Sequence, residues 1–310
     1  MVKKMWGSMA VLLVVIFSLV GCSNTEQLKG ANGKVQVTAT TGMINDIVKN
    51  IGGDNVETIA LMKSGVDPHL YKASQGDISK LEEADMIFYN GLHLEGKMID
   101  IFEKMVNTKP TVAVAENIPE EELLLPDDDS DGHDPHVWFD VSLWIQAAEA
   151  VEEELLAYDP DNEEAYKKNA EAYIGELKEL DNYAKEQIAS IPVQSRVLVT
   201  AHDAFGYFGK AYNIEVKGLQ GISTASEYGS KDVSELRDYL VENEIKAVFV
   251  ESSVPKKAIE AVIEGAKEKG HEIEIGGELF SDAMGKDGTE EGTYIGMIRH
   301  NVDTIVGALK

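Results

Sequence analysis

The stretch from Asp159 to Pro192, DPDNEEAYKKNAEAYIGELKELDNYAKEQIASIP, separates two parts of the chain that have similar patterns. The residues from Asp159 to Asn162 are typical of a helix start, and Pro192 closes the stretch. A helix of about 27 residues between them would span about 40 Å, which is longer than one small domain needs. This pattern predicts a helix that links two domains, although an ordinary long surface helix would show the same pattern. Its apolar residues recur every three or four positions and predict one buried face: Tyr166, Ala170, Tyr173, Leu177, Leu180, Ala184 and Ile188.

Short apolar runs alternate with helical patterns on both sides of this stretch. We predict strands at 35–40, 56–62, 86–89, 111–115, 197–200, 214–217, 247–250 and 272–275. We predict helices at 43–51, 77–84, 97–106, 141–158, 204–211, 233–242, 255–267 and 293–309. Such alternation predicts an α/β fold of two lobes, each with a mainly parallel sheet flanked by helices. The predicted boundaries are 35–160 for the N-terminal lobe, 161–190 for the linking helix and 191–310 for the C-terminal lobe.

The amino-acid composition argues against several classes of function. The 310 residues include 55 acidic and 28 basic ones, for a formal charge of -27, and this balance argues against a nucleic acid partner. An acidic surface suits cations, and it also keeps a secreted protein soluble. With one cysteine, the chain has no internal disulfide and no cysteine-based zinc site. A transition-metal site in this chain must therefore use His, Asp and Glu.

The N-terminal residues predict a secreted, lipid-anchored protein. Lys3 and Lys4 precede the apolar run MAVLLVVIFSLV, which is of signal-peptide length and short for a membrane span. The run leads to Gly21-Cys22, which resembles a bacterial lipobox, so we expect residues 1–21 to be cleaved and lipid to be attached to Cys22. The polar segment 22–34 would then be a flexible tether. The alternative is a plain signal peptide with an accidental cysteine.

Two histidines lie in the same tripeptide, Asp67-Pro68-His69 and Asp134-Pro135-His136. Each proline fixes its own φ and keeps the preceding Asp extended, so each tripeptide should be a rigid turn that presents one imidazole. The Asp of each turn is positioned to accept the second N–H of the ring, which fixes the tautomer that a metal ligand needs. A lone loop histidine is usually just exposed to solvent, but two copies in one setting favour a shared role.

Two further candidates follow strands of the second half. His202 comes shortly after the strand at 197–200, and Asp282 follows the strand at 272–275. Because ligands bind outside the carboxyl ends of parallel strands, two ligands from each lobe would place an ion in the cleft between them. Three imidazoles and one carboxylate suit a divalent transition metal better than calcium.

Several motifs resemble the metal-binding solute receptors of bacterial ABC importers, above all the manganese-binding lipoproteins of Gram-positive bacteria. They are DPHLY at 67–71, NGLHLEG at 90–96, DPHVWF at 134–139, VESS at 250–253 and LFSD at 279–282. The resemblance covers the chain from about Val35 to Lys310. It implies two α/β lobes joined by one long rigid helix, with one ion held by His69, His136, His202 and Asp282. It also implies an ABC transporter permease as the partner, a membrane-anchored extracytoplasmic location and no enzymatic activity.

The identity of the metal is left open between Mn2+ and Zn2+. Many manganese receptors of the family have Glu at the third ligand position, where this chain has His202. Zinc receptors of the family usually carry a His-rich loop before the second ligand, whereas the loop at 126–134 reads PDDDSDGHD. We therefore predict Mn2+ as the cargo, with Zn2+ as the alternative.

The other histidines, His93, His271 and His300, are interpreted as structural or surface residues, and Glu251 and Asp203 as candidates to support the ligands. A metallohydrolase is the main alternative class, but the chain has no His-Glu-X-X-His, Gly-X-Ser-X-Gly or P-loop motif. A surface adhesin is a third class, and no sequence feature marks a partner surface for it. We expect the protein to be a monomer.

Overall fold

The computed structural model describes residues 33–126 and 132–310. Cys22, the predicted signal peptide and most of the predicted tether lie outside these residues, as does much of the acidic loop. Within the described ranges, no helix has the length and apolar character needed to cross a membrane.

The N-terminal half contains one four-stranded parallel sheet with the order β2-β1-β3-β4. Its strands are β1 Val35–Ala39, β2 Val56–Ala60, β3 Met86–Tyr89 and β4 Thr111–Ala113. Its helices are α1 Gly42–Gly52, α2 Gln75–Glu83, α3 Ile99–Met105 and α4 Val141–Tyr158. β1 and β3 are the inner strands and are almost entirely buried, which explains the continuous apolar sequence of β3, whereas β1 also carries Gln36 and Thr38.

The long helix α5 spans Glu163–Ala189, 27 residues, and the seven apolar positions predicted for its buried face are its buried residues. Glu163 and Glu164 lie in its first turn, where acidic side chains complement the helix dipole. Pro192 follows its end, since proline cannot continue a helix. The helix packs against α1, α4 and α9, and so contacts both halves of the chain.

The C-terminal half continues the strand and helix alternation. Its strands are β5 Val197–His202, β6 Glu215–Gln220, β7 Ala247–Glu251 and β8 Glu274–Leu279. Its helices are α6 Gly206–Tyr212, α7 Ser230–Glu242, α8 Lys257–Glu268 and α9 Tyr294–Leu309. The strands form two parallel pairs, β5 with β6 and β7 with β8, and β5 also contacts β7.

The predicted fold class, α/β with parallel sheets flanked by helices and one long helix between the halves, is confirmed. Several element boundaries differ from the prediction by two to four residues. β5 runs two residues beyond the predicted strand because His202 pairs with Gln220 of β6. β8 lies at Glu274–Leu279 rather than 272–275, because Glu274 is the residue that aligns with the start of β7.

The two halves also share a hydrophobic core, in addition to the long helix. One cluster of buried residues extends from β1 and α1 through α4 and α5 to α9. Trp144 and Tyr294 stack across it with ring centroids 5.4 Å apart, and the Tyr294 hydroxyl donates to the main-chain oxygen of Trp138 at 2.7 Å. Asp46 of α1 accepts from the main-chain N–H of Tyr294 at 3.2 Å. The halves are therefore tied by packing as well as by α5.

Candidate metal centre

The structure brings the four predicted ligands together. His69, His136, His202 and Asp282 each offer one ligand atom, these atoms all lie within 4.8 Å of one another, and all four side chains are buried. His202 is the last residue of β5, and Asp282 comes three residues after the end of β8. His69 and His136 come from loops of the N-terminal half. The cluster therefore lies where the loops at the strand ends of both halves meet.

The spacing of the ligand atoms fits one central ion. Four atoms about 2.1 Å from an ion in a tetrahedral arrangement lie about 3.4 Å apart. The Nε2 atoms of His69 and His136 are 3.3 Å apart. The carboxylate of Asp282 lies 3.3 Å from His136 Nε2, 3.3 Å from His202 Nε2 and 4.0 Å from His69 Nε2. The two carboxylate oxygens face different imidazoles, so Asp282 can offer both of them.

The cluster also contains buried polar atoms that have no hydrogen-bond partner, as expected of a metal site. Among the described residues, His202 Nε2 and both carboxylate oxygens of Asp282 are buried without a hydrogen bond of proper geometry. Burying a polar atom without a partner destabilises the folded protein. Since these atoms are all electron-pair donors that point to the same place, a positively charged ligand between them would remove that cost. A divalent cation satisfies that need.

His136 is held by the aspartate of its own turn, as predicted. Asp134 accepts from the ring at 2.7 Å, measured to Nδ1, and from the main-chain N–H of His136 at 2.9 Å. The pairing leaves Nε2 as the free metal-binding nitrogen. The Tyr207 hydroxyl donates to the main-chain oxygen of Asp134 at 2.9 Å and so attaches this turn to α6.

His202 is supported by Glu251, the last residue of β7, which accepts from its main-chain N–H and lies close to its ring. The two carboxylate oxygens of Glu251 lie 2.5 Å from His202 Nδ1 and 2.9 Å from its main-chain nitrogen. Because β5 and β7 are neighbours, their C-terminal residues meet directly at the site. The prediction that Glu251 supports a ligand agrees with this geometry. The main-chain N–H of Asp203 donates to the main-chain oxygen of Gln220 on β6 at 3.0 Å.

His69 departs from the prediction for its turn. One oxygen of Asp67 accepts from the main-chain N–H of His69 at 2.9 Å, and the other accepts from the Thr224 hydroxyl at 2.6 Å. Both oxygens of this carboxylate are thus used by groups other than the imidazole. The two identical tripeptides therefore support their histidines in different ways.

Asp282 is positioned by residues that sequence reasoning missed. The Ser253 hydroxyl lies 3.4 Å from the main-chain nitrogen of Asp282 and 2.9 Å from the Ser281 hydroxyl. The indole N–H of Trp138 donates to the main-chain oxygen of Ser281 at 3.1 Å, across the two halves. Trp138 and Ser253 occur in the motifs DPHVWF and VESS, which is the only sequence signal for them.

A second missed support lies under His136. The side chain of Asn90 donates to the main-chain oxygen of Pro135 at 3.0 Å. The main chain of Asn90 donates in turn to Glu95 at 2.8 Å, and the Thr40 hydroxyl donates to the same oxygen at 2.6 Å. Burial raises the pKa of Glu95, against the effect of these hydrogen bonds. The motif NGLHLEG thus contributes to the site through Asn90 and Glu95, while its histidine, His93, is exposed.

Charge is unevenly distributed over the four ligands. Burial lowers the pKa of His69 to about 3, more than Asp282 raises it. Burial also disfavours the charged form of His136, but Asp134 and Asp282 outweigh it and raise the pKa to about 9. Glu251 and Asp282 likewise overcome burial and raise the pKa of His202 well above its ordinary value. Burial opposes ionisation of Asp282, yet the imidazoles hold its pKa well below its usual range. A metal ion would meet an ionised carboxylate and would displace protons from His136 and His202.

The remaining histidines agree with their structural or surface interpretation. His271 Nε2 lies 2.6 Å from the main-chain oxygen of Ile245, and His300 Nε2 lies 3.0 Å from that of Glu278. His133 is half-buried, with Nε2 3.9 Å from a carboxylate oxygen of Glu120. Neither these three histidines nor His93 belongs to the metal-ligand cluster found among the described residues.

An α/β fold with a buried cluster of three imidazoles and one carboxylate between its halves defines a class of metal-binding receptor proteins. Comparison with known families agrees: residues 37–308 match the model of the family described as zinc-uptake complex component A, periplasmic. The chain belongs to this family. The resemblance seen in the sequence is confirmed, and with it a metal-binding substrate-binding protein of ABC importers rather than an enzyme.

Two relatives illustrate the range of the family. A protein named manganese-binding lipoprotein MntA, from Bacillus subtilis, is 55% identical over 304 residues, which cover 98% of this chain and 99% of that protein. A protein named zinc-binding protein TroA, from Treponema pallidum, is 50% identical over 279 residues, 90% of each chain. The solved structure of the Treponema protein superposes with a TM-score of 0.87 and covers 89% of this chain and 99% of that one.

Proposed function

We propose that this protein captures Mn2+ outside the cytoplasm and delivers it to the permease of an ABC importer. The observation that carries the proposal is the convergence of His69, His136, His202 and Asp282 on one buried point. The ion is cargo in this proposal, and the four side chains are its ligands.

The geometry supports a receptor better than a hydrolase. Catalytic metal sites keep one coordination position open for water or substrate. Here four protein side chains converge, and all four are buried. A substrate ester or phosphate would have to displace one of them, whereas a transported ion needs only to be enclosed and later released.

Two observations favour Mn2+ as the cargo. The oxygens of Asp282 face different imidazoles at 3.3 Å, so a bidentate carboxylate would give five donor atoms, more than a tetrahedral zinc site uses. The relative with 55% identity is named for manganese. Zn2+ is the second candidate, because three imidazoles bind it well and the relative with 50% identity is named for zinc.

The location follows from the N-terminus. The proposal places lipid on Cys22 after removal of residues 1–21, with residues 22–34 as a tether. Two or more acyl chains hold a protein stably at a membrane, where a single chain binds only marginally. The division into lobes at 35–160 and 191–310 around a linking helix at 161–190, and action as a monomer, belong to the same proposal. The names of relatives as lipoproteins support the anchoring.

Metal content tests the cargo directly. The protein, purified without chelators and without its N-terminal segment, should carry one ion per chain by native mass spectrometry and elemental analysis. Competition titrations of Mn2+ against Zn2+, with His136→Ala as the binding-deficient control, then rank the metals. Because metal availability in the cell as well as affinity determines which ion is bound, protein from cells grown with both metals gives the decisive sample. Protein from such cells that carried only Zn2+ would contradict the manganese assignment, and protein without metal would contradict the receptor proposal.

A further inference from the structure

One hydrogen bond joins the turn that carries His69 to the opposite half of the molecule. The Thr224 hydroxyl, in the loop that follows β6, donates to Asp67 at 2.6 Å, across 157 positions of the sequence. The other oxygen of Asp67 accepts from the main-chain N–H of His69 at 2.9 Å. Asp67 therefore connects the main chain of a metal ligand with a side chain of the C-terminal half.

The loop that carries Thr224 is itself held in place. The side-chain amide of Gln220 donates to the main-chain oxygens of Thr224 and Ser226, both at 2.6 Å. Gln220 is the last residue of β6 and pairs with His202 of β5. A continuous path of contacts thus runs from the strand of one ligand, His202, to the turn of another, His69.

The two Asp-Pro-His turns hold their histidines by different contacts. In the second turn Asp134 binds the ring of His136 at 2.7 Å and fixes it from within the turn. In the first turn both oxygens of Asp67 are engaged by the main chain of His69 and by Thr224. His69 is also the imidazole farthest from Asp282, at 4.0 Å against 3.3 Å for the other two, and the next residue, Leu70, is exposed. The placement of His69 therefore depends on what holds its turn.

We propose that Thr224 is a positioning residue whose hydrogen bond to Asp67 holds the His69 turn against the C-terminal half and thereby slows release of the bound ion. We call this hydrogen bond the clasp. The proposal rests on the proposed function, since it takes the cluster as the site of the cargo ion. When the clasp opens, the turn moves away from the C-terminal half with His69, and the ion loses one of its four protein ligands. Thr224 does not touch the ion, so its effect should appear in the rate of exchange.

The test is the rate at which a chelator removes bound Mn2+, measured by stopped flow on four variants. Thr224→Val removes the hydroxyl at nearly constant volume, and Thr224→Ser retains it. Ser223→Ala is the matched control, because its hydroxyl accepts from Ala225 of the same loop at 3.2 Å. His69→Ala removes one of the four predicted ligands and so tests the metal site itself. Loss of one hydrogen bond to a charged group should speed release by about tenfold or more in Thr224→Val. Thr224→Ser and Ser223→Ala should stay close to the wild type.

The possible results distinguish a failure of the Thr224 proposal from a failure of the ligand assignment. Release from Thr224→Val at the wild-type rate would overturn the clasp, as would equally fast release from Thr224→Ser or Ser223→Ala, since the hydroxyl would then not be the cause. Wild-type binding by His69→Ala would instead overturn the ligand assignment in the proposed function. Melting curves of the metal-free variants check folding, and each variant should unfold in a single cooperative transition.

Discussion

Glu251→Gln should weaken metal binding while leaving all four ligands in the chain. Glu251 is almost fully buried at the end of β7, and its two oxygens face the ring Nδ1 and the main-chain nitrogen of His202 at 2.5 and 2.9 Å. Glutamine has nearly the same shape but offers one acceptor and one donor group. One of the two His202 N–H groups would then face an NH2 group.

The size of the effect can be worked out in two ways. A buried donor left without a partner costs about 1–3 kcal/mol. Loss of the group that orients a metal-ligating histidine typically costs about 10–100-fold in affinity, or about 1.4–2.7 kcal/mol. The two figures agree, so we expect Mn2+ to bind about 10–100-fold more weakly. The difference should shrink at acid pH, because Glu251 also raises the pKa of His202 and so favours the competing proton.

Calorimetric titration with Mn2+ at pH ~8 and pH ~6, on either side of the ordinary imidazole pKa, measures both effects. The matched control is Glu278→Gln, the same chemical change on the neighbouring strand. Glu278 lies beside Val250 in the β7 and β8 pair but is exposed at 47% and pairs with Lys256, so its replacement should leave the affinity unchanged. Affinity of Glu251→Gln within twofold of the wild type at pH ~8 would refute the argument that this carboxylate orients His202.

Three further predictions concern pH, shape and anchoring. Because only neutral imidazole binds metal and the pKa of His136 is raised to about 9, protons should compete with Mn2+ at every pH below about 9. The rise in melting temperature caused by Mn2+ should therefore decrease steadily from pH ~9 through pH ~7.5 to pH ~5.5, and a constant rise in a thermal-shift series would exclude the histidines as main ligands. Since α5 and a shared core tie the two halves, solution scattering should show little change in radius of gyration on metal binding, and a large compaction would count against this rigid link. Cys22→Ser should abolish lipid attachment and release the protein from membranes, whereas a wild-type protein without a lipid mass would rule out the anchor.

Much of the fold and the ligand set could be predicted because both depend on local patterns. The 3.6-residue period of α5 and the apolar run of β3 predicted these elements, and the rule that ligands bind at strand ends predicted that His202 and Asp282 lie close together. The contacts that support the ligands could not be predicted in the same way. Whether an Asp-Pro-His aspartate binds its own ring or a distant hydroxyl depends on which chain segment lies opposite, and Thr224 is 157 positions from Asp67.

The ends of strands and the contacts between the two halves also could not be predicted from the sequence. The sequence around Thr200 shows no apolar run up to His202, but pairing with Gln220 extends β5 to that residue. The bond from Trp138 to Ser281 spans 143 positions and exists only because the two halves pack together. Motif matches marked these segments, but only the packed structure shows what each residue contacts.

The central claim is that one ion binds between His69, His136, His202 and Asp282. Anomalous diffraction from crystals of the Mn2+-loaded protein, recorded on both sides of the manganese absorption edge, tests it most directly. We expect one strong peak per chain, about 2.0–2.3 Å from the three Nε2 atoms and from the carboxylate of Asp282. A peak elsewhere, for example in the acidic loop at 126–134, or well-ordered crystals without a peak at the cluster, would contradict it.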